Sequence, residues 1–171
     1  MRLELSVHLG SVAELAHASA VRLGVSPEDA DAVRQTAALH DVGKVAIPDA
    51  ILNKQGPLDD SEWAFMKRHT IIGERIISAA PALAAVAKLV RSTHERYDGG
   101  GYPDGLAGEN IPLIARIVSV CDSYDAMITT RAYRDGHSPS WAIAELRRCA
   151  GTQFDPDVVD AVLESLEAGD D

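Results

Sequence analysis

The sequence predicts an all-α bundle of about seven helices with one long glycine- and proline-rich loop. Three observations predict it. Apolar residues recur at three- and four-residue spacing along most of the chain. Helix start signals open several of those stretches. No stretch alternates apolar and polar residues as a half-buried strand would. With 171 residues, 46% hydrophobic and 25% charged, the chain suits a single globular domain over 1–171 with a sizeable core. Its abrupt start within a helical pattern reads as a domain excised from a longer regulatory protein.

Leu3 to about Leu23 is the first expected helix, with Val12, Leu15, Ser19 and Leu23 on its inner stripe. Stepping back by fours from Val12 puts His8 and Glu4 on the same face. Ser26-Pro27-Glu28-Asp29 opens the second with an N-cap serine, a proline at the first position and acids in the first turn. It runs to about His40, with Ala30, Val33, Ala37 and His40 on one face, and a loop follows through Pro48 and Gly56-Pro57. Asp59 caps a third helix, Glu62 completes a capping box, and Leu58 can staple onto Trp63. Phe65, Met66, His69, Ile72, Gly73 and Ile76 mark its inner face.

Pro81 opens the fourth helix, striped by Leu83, Val86, Ala87, Val90 and His94. Residues 95–111 form the long loop, and loops of that length inside a compact domain are functional or disordered. Pro112 starts the fifth helix, with Ile114, Ile117, Val118 and Cys121 inward and Asp122 four residues after Val118. A basic turn, Arg131-Ala132-Tyr133-Arg134, precedes two shorter helices, about Pro139–Cys149 and Pro156–Leu166.

Composition excludes several function classes. A net charge of −10 argues against broad DNA or RNA binding. No apolar run is long enough to span a bilayer and no signal-peptide pattern is present, so direct membrane insertion is not expected. Cys121 and Cys149 lie in apolar helical patterns, which indicates neither a disulfide framework nor a zinc knuckle and suits a reducing cytoplasm.

The informative oddity is polar residues on apolar faces. Burying one without a partner costs a few kcal/mol, and a charge costs more. Five expected helices each carry such residues inward: Glu4 with His8, His40 with Asp41, His69, His94, and Asp122. Any one alone is an ordinary core residue, and His40-Asp41-Val42-Gly43-Lys44 alone also reads as a helix end with Gly43 as its cap. Together they point to shared metal ions. Imidazole and carboxylate donors without thiolate suit iron, manganese or zinc. His17, His137, Trp63 and Trp141 read as surface or packing residues, and Asp98 as a loop-shaping one.

The chain resembles the HD-GYP branch of the HD metal-dependent phosphohydrolases. The resemblance rests on His40-Asp41-Val42-Gly43-Lys44, Ile47-Pro48-Asp49, His69, His94-Glu95-Arg96-Tyr97-Asp98-Gly99-Gly100-Gly101-Tyr102-Pro103, Asp122-Ser123-Tyr124-Asp125-Ala126, and Arg131 with Tyr133-Arg134. It implies an HD-domain helical bundle with two or three divalent ions, iron or manganese, that hydrolyses the bacterial second messenger cyclic di-GMP to linear pGpG, with GMP as the alternative end product. Carried over residue by residue, His8, His40, Asp41 and Asp122 hold one ion. Asp41 bridges to a second held by His69 and His94, and Glu4 stands where three-metal members have an extra ligand. Glu4 reads equally as a first-turn acid favoured by the helix dipole.

In that family the ions lower the pKa of a bridging water and polarise the phosphoryl oxygen. Asp41 and Lys44 are then the catalytic pair, with Lys44 placed to offset charge developing on the phosphate. Gly101, Tyr102 and Pro103 shape the substrate pocket, and Arg131 and Arg134 contact phosphates. The sequence departs from the family where the first of two successive histidines is Thr93, a poor ligand that leaves one coordination position to water or lost. Thr93 motivates a second reading: a signalling module with weak or no turnover that binds cyclic di-GMP, or a protein partner through the Gly-Tyr-Pro loop.

Overall fold

The computed structural model of the chain describes residues 2–130 and 135–169, with side chains over 12–130 and 135–168. It is helical throughout: α1 Arg2–Arg22, α2 Pro27–Leu39, α3 Asp49–Leu52, α4 Asp60–Met66, α5 His69–Ile77, α6 Ala84–Arg91, α7 Leu113–Ile128, α8 Pro139–Cys149 and α9 Pro156–Gly169. Short 3-10 turns occupy Val42–Ala46, Pro81–Leu83 and Gly108–Asn110. Extended pairing among the described residues is limited to one bridge between Ala150 and Phe154.

Local signals act as the residue types dictate. The Ser26 hydroxyl accepts from the Asp29 amide at the start of α2. Asp59 and Glu62 form the reciprocal capping box of α4. Ser138 caps α8 through the Trp141 amide, and Pro27 and Pro139 take the first turns of α2 and α8.

The main core lies between α1, α2, α7, α8 and α9, where Val12, Ala16, Val33, Val118, Leu146 and Val162 lie fully inside. A smaller apolar cluster of Ile77, Val86, Ala87 and Val90 joins α5 to α6. α2 packs on both α7 and α6, so its C-terminal end lies where the two halves meet. That junction positions the site.

The structure departs from the sequence expectations in four places. The single helix expected over about 58–76 breaks at Lys67–Arg68 into α4 and α5. The Met66 carbonyl, which in an unbroken helix would accept the Thr70 amide, takes the His69 ring nitrogen instead. The break rotates the inner face, so His69, Gly73 and Ile77 are buried while Ile76 is 41% exposed. The fourth helix stops at Arg91, which leaves His94 in the turn beyond it rather than on the helix. The expected loop after His40 contains the Val42–Ala46 turn and α3. Trp63 and Trp141, expected to pack inside, are 46% and 44% exposed, and Trp141 stacks on His137 at 3.8 Å.

Glu4 and His8 fall one turn apart on α1, which packs against α2, α7 and α9; their side chains lie outside the described residues. So do Arg131 and Arg134.

Candidate metal centre

His40 and Asp41 come from the end of α2 and the residue after it. The chain then turns through Val42–Ala46 directly against α5. Gly43 is what permits the approach. A Cβ there would lie 1.9 Å from the His69 carbonyl oxygen and 2.6 Å from the Gly73 nitrogen. Its φ is not positive, so the helix-cap reading of Gly43 fails, and α2 is closed by His40 in right-handed geometry. Glycine is required here for proximity, and proximity brings His69 to Asp41.

Each buried histidine is oriented by its own turn. His40 Nδ1 donates to the Ala37 carbonyl at 2.7 Å, and His69 Nδ1 donates to the Met66 carbonyl at 2.8 Å. A carbonyl only accepts, so Nδ1 carries the proton and Nε2 faces the site. His40 Nε2 lies 3.6 Å from Asp41 Oδ2 and 3.4 Å from Asp122 Oδ1, where α7 delivers Asp122. His69 Nε2 lies 3.5 Å from Asp41 Oδ1. Donor atoms of Asp41, His69 and His94 all fall within 4.8 Å of one another. Asp41 thus turns one oxygen toward His40 and the other toward His69 and His94.

The electrostatics suit a cation. His40 Nε2, Asp41 Oδ1, His69 Nε2 and His94 Nε2 are buried without a hydrogen-bond partner. Leaving one such atom unpaired costs about 1–3 kcal/mol, and a cation held by Asp41, His69 and His94 would satisfy three of the four. Burial, and then the neighbouring His69, push His94 down to about 4. Burial also lowers His69. Both rings are therefore neutral at pH 7, with lone pairs available. Burial pulls His40 down too, but the carboxylates of Asp122 and Asp41 overcome it and raise the ring to about 9. Asp122 and Asp41 are held below the usual carboxylate range despite burial, largely by His40. Without metal, the His40 proton offsets part of the anionic charge.

Asp41, His69 and His94 form a donor set that could hold a metal ion, and His40 and Asp122 lie against the same carboxylate. Lys44 sits there too, its Nζ 2.5 Å from Asp41 Oδ2. Thr93 brings no imidazole to the set, and its buried hydroxyl donates to the Val90 carbonyl at 2.9 Å.

The glycine-rich loop closes one side. The Tyr102 ring stacks on His94 with centroids 5.2 Å apart and planes 6° apart, and its amide donates to the His94 carbonyl. Gly101 must be glycine, since a Cβ would reach 2.3 Å from the Arg96 nitrogen; Pro103 follows Tyr102 through a cis peptide. Glu95, 4% exposed, accepts the Asp104 and Leu106 amides at 2.7 and 3.1 Å and holds the loop from beneath. Arg91 grips Asp104 through two hydrogen bonds and Glu74 of α5 through a third. Asp98 shapes the loop as expected, pairing with Arg96 and the Gly100 amide.

Beside the centre opens a cleft of about 620 Å³, lined among others by His94, Tyr102, Asp122, Trp63, Lys67 and Gln153. The sequence reading did not reach Glu95 as a loop anchor, nor Trp63 and Gln153 as cleft walls. Glu95 was findable: it is an acid directly after His94, within the stretch quoted for the resemblance. Gln153 gave no signal, because its role depends on a contact across the fold.

Fold and site define a helical HD phosphohydrolase-like domain, and residues 2–158 match the HD domain family. The chain belongs to that family. It is 43% identical over 160 residues to the cyclic di-GMP phosphodiesterase response regulator RpfG of Xanthomonas campestris pv. campestris, covering 92% of this chain and 42% of that protein. It is 39% identical over 163 residues to the 3'3'-cGAMP-specific phosphodiesterase 2 of Vibrio cholerae, covering 94% of this chain and 31% of the relative. The fold superposes on that of an HDG"Y"P protein from Bdellovibrio bacteriovorus with a TM-score of 0.77 at 23% identity, over 95% of this chain and 52% of the other. The chain thus spans less than half the length of these curated relatives. Among the described residues, no helix is long and apolar enough to cross a membrane.

Proposed function

We propose that the domain is a metal-dependent phosphodiesterase that hydrolyses cyclic di-GMP to linear pGpG. The observation that carries this reading is the Asp41 carboxylate, with one oxygen toward His40 and the other toward His69, amid buried nitrogens that have no partner. The names of the curated relatives support a cyclic dinucleotide as substrate.

His40, Asp41 and Asp122, joined by His8 and by Glu4 for a third ion, would hold one part of the cluster; Asp41, His69 and His94 would hold the other. Divalent iron or manganese bound there supplies Lewis acidity and a nucleophilic water at neutral pH. The protein does the positioning. Carbonyls of Ala37 and Met66 fix the tautomers of His40 and His69. Tyr102 walls the His94 side against solvent. Lys44, on a flexible and partly exposed stem, can leave Asp41 for a non-bridging phosphate oxygen and offset its charge. Arg131 and Arg134 would add phosphate contacts. Addition of one water breaks one P–O3′ bond, leaving a 5′-phosphate and a 3′-hydroxyl. The cleft volume is within the usual range for a ligand of this size.

Thr93 favours the second reading, a binding module with weak turnover that senses cyclic di-GMP or docks a partner through the Gly-Tyr-Pro loop, because its hydroxyl is committed to Val90. The test is hydrolysis of cyclic di-GMP by protein loaded with Mn²⁺ or Fe²⁺, with products separated by chromatography. Metal-dependent appearance of pGpG supports the hydrolase. Intact substrate, in an assay where an active relative cleaves it, leaves the binding module.

A further inference from the structure

On the wall of the cleft formed by the segment after α8, Gln153 is held unusually firmly for a residue on an irregular segment. Its backbone carbonyl accepts the Tyr97 amide at 3.1 Å, while the neighbouring Thr152 carbonyl accepts the Asp98 amide at 2.8 Å. Its side-chain oxygen Oε1 accepts from Arg96 Nη1 at 3.1 Å. Arg96 is itself fixed by two hydrogen bonds to Asp98. A guanidinium only donates, so the carboxamide oxygen belongs to Arg96, its NH₂ group is the part left for a ligand, and Gln153 is among the residues that line the cleft.

We infer that Gln153 is a specificity-determining residue that donates from Nε2 to the O6/N7 edge of a guanine, selecting guanine over adenine. The inference rests on the cyclic dinucleotide reading above. Guanine presents two acceptors on that edge, whereas adenine replaces O6 with an amino donor. A carboxamide NH₂ at that edge therefore meets both acceptors of guanine, whereas with adenine it keeps only N7 and opposes the N6 amino group, donor against donor. A free glutamine would turn its oxygen to meet adenine; Arg96 denies Gln153 that choice. Discrimination built on an unpaired or opposed polar group is stronger than discrimination by size. Trp63, exposed on the same cleft, offers an aromatic face on which a purine can stack, and stacking does not distinguish the two bases. The division of labour is then a face supplied by Trp63 and an edge read by Gln153.

The test is equilibrium binding to metal-loaded protein of the slowly hydrolysed bis-phosphorothioate analogues of cyclic di-GMP, cyclic di-IMP and cyclic di-AMP. Inosine keeps O6 and N7 and lacks only the 2-amino group. The parent is expected to bind the guanine and inosine ligands within about three-fold of each other and the adenine ligand at least ~10-fold more weakly, about 1.4 kcal/mol. Gln153→Glu keeps an acceptor for Arg96 but turns an acceptor into the cleft. It should lose ~10-fold for guanine and inosine and gain for adenine, whose N6 amino group then meets an acceptor, with unchanged melting temperature and metal content. The inference is overturned if the parent binds inosine as weakly as adenine, if it binds all three alike or none, or if Gln153→Glu leaves the ratio unchanged. The ligand series needs no variant to fold. Hydrolysis measured in parallel separates the two claims. Turnover with an unmoved ratio sinks the base-reading role alone, and discrimination without turnover sinks the hydrolase alone.

Discussion

Replacing Gly43 with alanine tests the link between the His-Asp-x-Gly-Lys spacing and the metal centre. The added Cβ would stand 1.9 Å from the His69 carbonyl oxygen and 2.6 Å from the Gly73 nitrogen, both backbone atoms. To reach even 3.0 Å, the shortest contact a real Cβ tolerates, the Val42–Ala46 turn and α5 must part by about 1 Å, and a close-packed interior does not absorb that locally. Overpacking of this kind costs about 3 kcal/mol, which for a domain of this size lowers the melting temperature by about 6–12 °C. The same displacement moves His69 away from Asp41 Oδ1. Metal–ligand distances tolerate about 0.2 Å, so metal content should fall as well, and turnover by about 100-fold. Gly73→Ala is the internal control. Its Cβ is crowded by the Val90 Cγ1 methyl alone, at 3.3 Å, a side-chain atom able to give way, while the Gly43 nitrogen at 3.5 Å and Val42 Cγ1 at 3.6 Å are ordinary contacts, and alanine within α5 regains up to about 1 kcal/mol of helix propensity. It should be near neutral. The two variants are compared by calorimetry and elemental analysis. A Gly43→Ala protein that melts within 2 °C of the parent (roughly 1 kcal/mol) and retains its metal would refute the close-approach argument.

Other consequences follow from the same geometry. Glu95→Gln should cost about 1.5–3 kcal/mol, since one of two carboxylate oxygens holding loop amides becomes a donor facing a donor. Urea titration checks this, and an unchanged midpoint would count against the anchor. In metal-free protein, His40 is raised from 6.5 to about 9. Its stabilisation is complete below pH 6.5 and is lost as pH rises through about 9, an effect on the order of 3 kcal/mol. Metal on Nε2 should abolish that decline, and stability that is flat from pH 6.5 to 9 in chelator would contradict it. At the other end, the depressed pKa of Asp122 stabilises the fold above about pH 4 and the contribution disappears as acid protonates it. Asp41→Asn removes the shared carboxylate and should reduce metal content at least ~10-fold, because both groups of ligands lose charge together; retention of one ion at parental affinity would show that the two groups are independent.

The residue types at the site were legible because motif and periodicity are local. His40, His69 and Asp122 are legible as polar groups on apolar faces. The start of α2 at Ser26-Pro27, the capping box of α4 and the span of α8 were legible for the same reason, since a cap is written in four consecutive residues. His94 lies beside Asp41 and His69, but from the turn beyond the fourth helix, because the stripe that points to it ends three residues earlier.

What the sequence by itself determined is the helical class and the family. Only the tertiary structure decided how the candidate donors meet. The break at Lys67–Arg68 cannot be read from the apolar pattern, because it depends on His69 bonding back to Met66 while α5 presses on Gly43. The division of Asp41 between His40 and His69 depends on how closely two segments approach. Gln153 acquires its direction from Arg96, 57 residues away. Periodicity reports which face of a helix is buried; what that face meets is set by contacts between parts of the chain far apart in sequence.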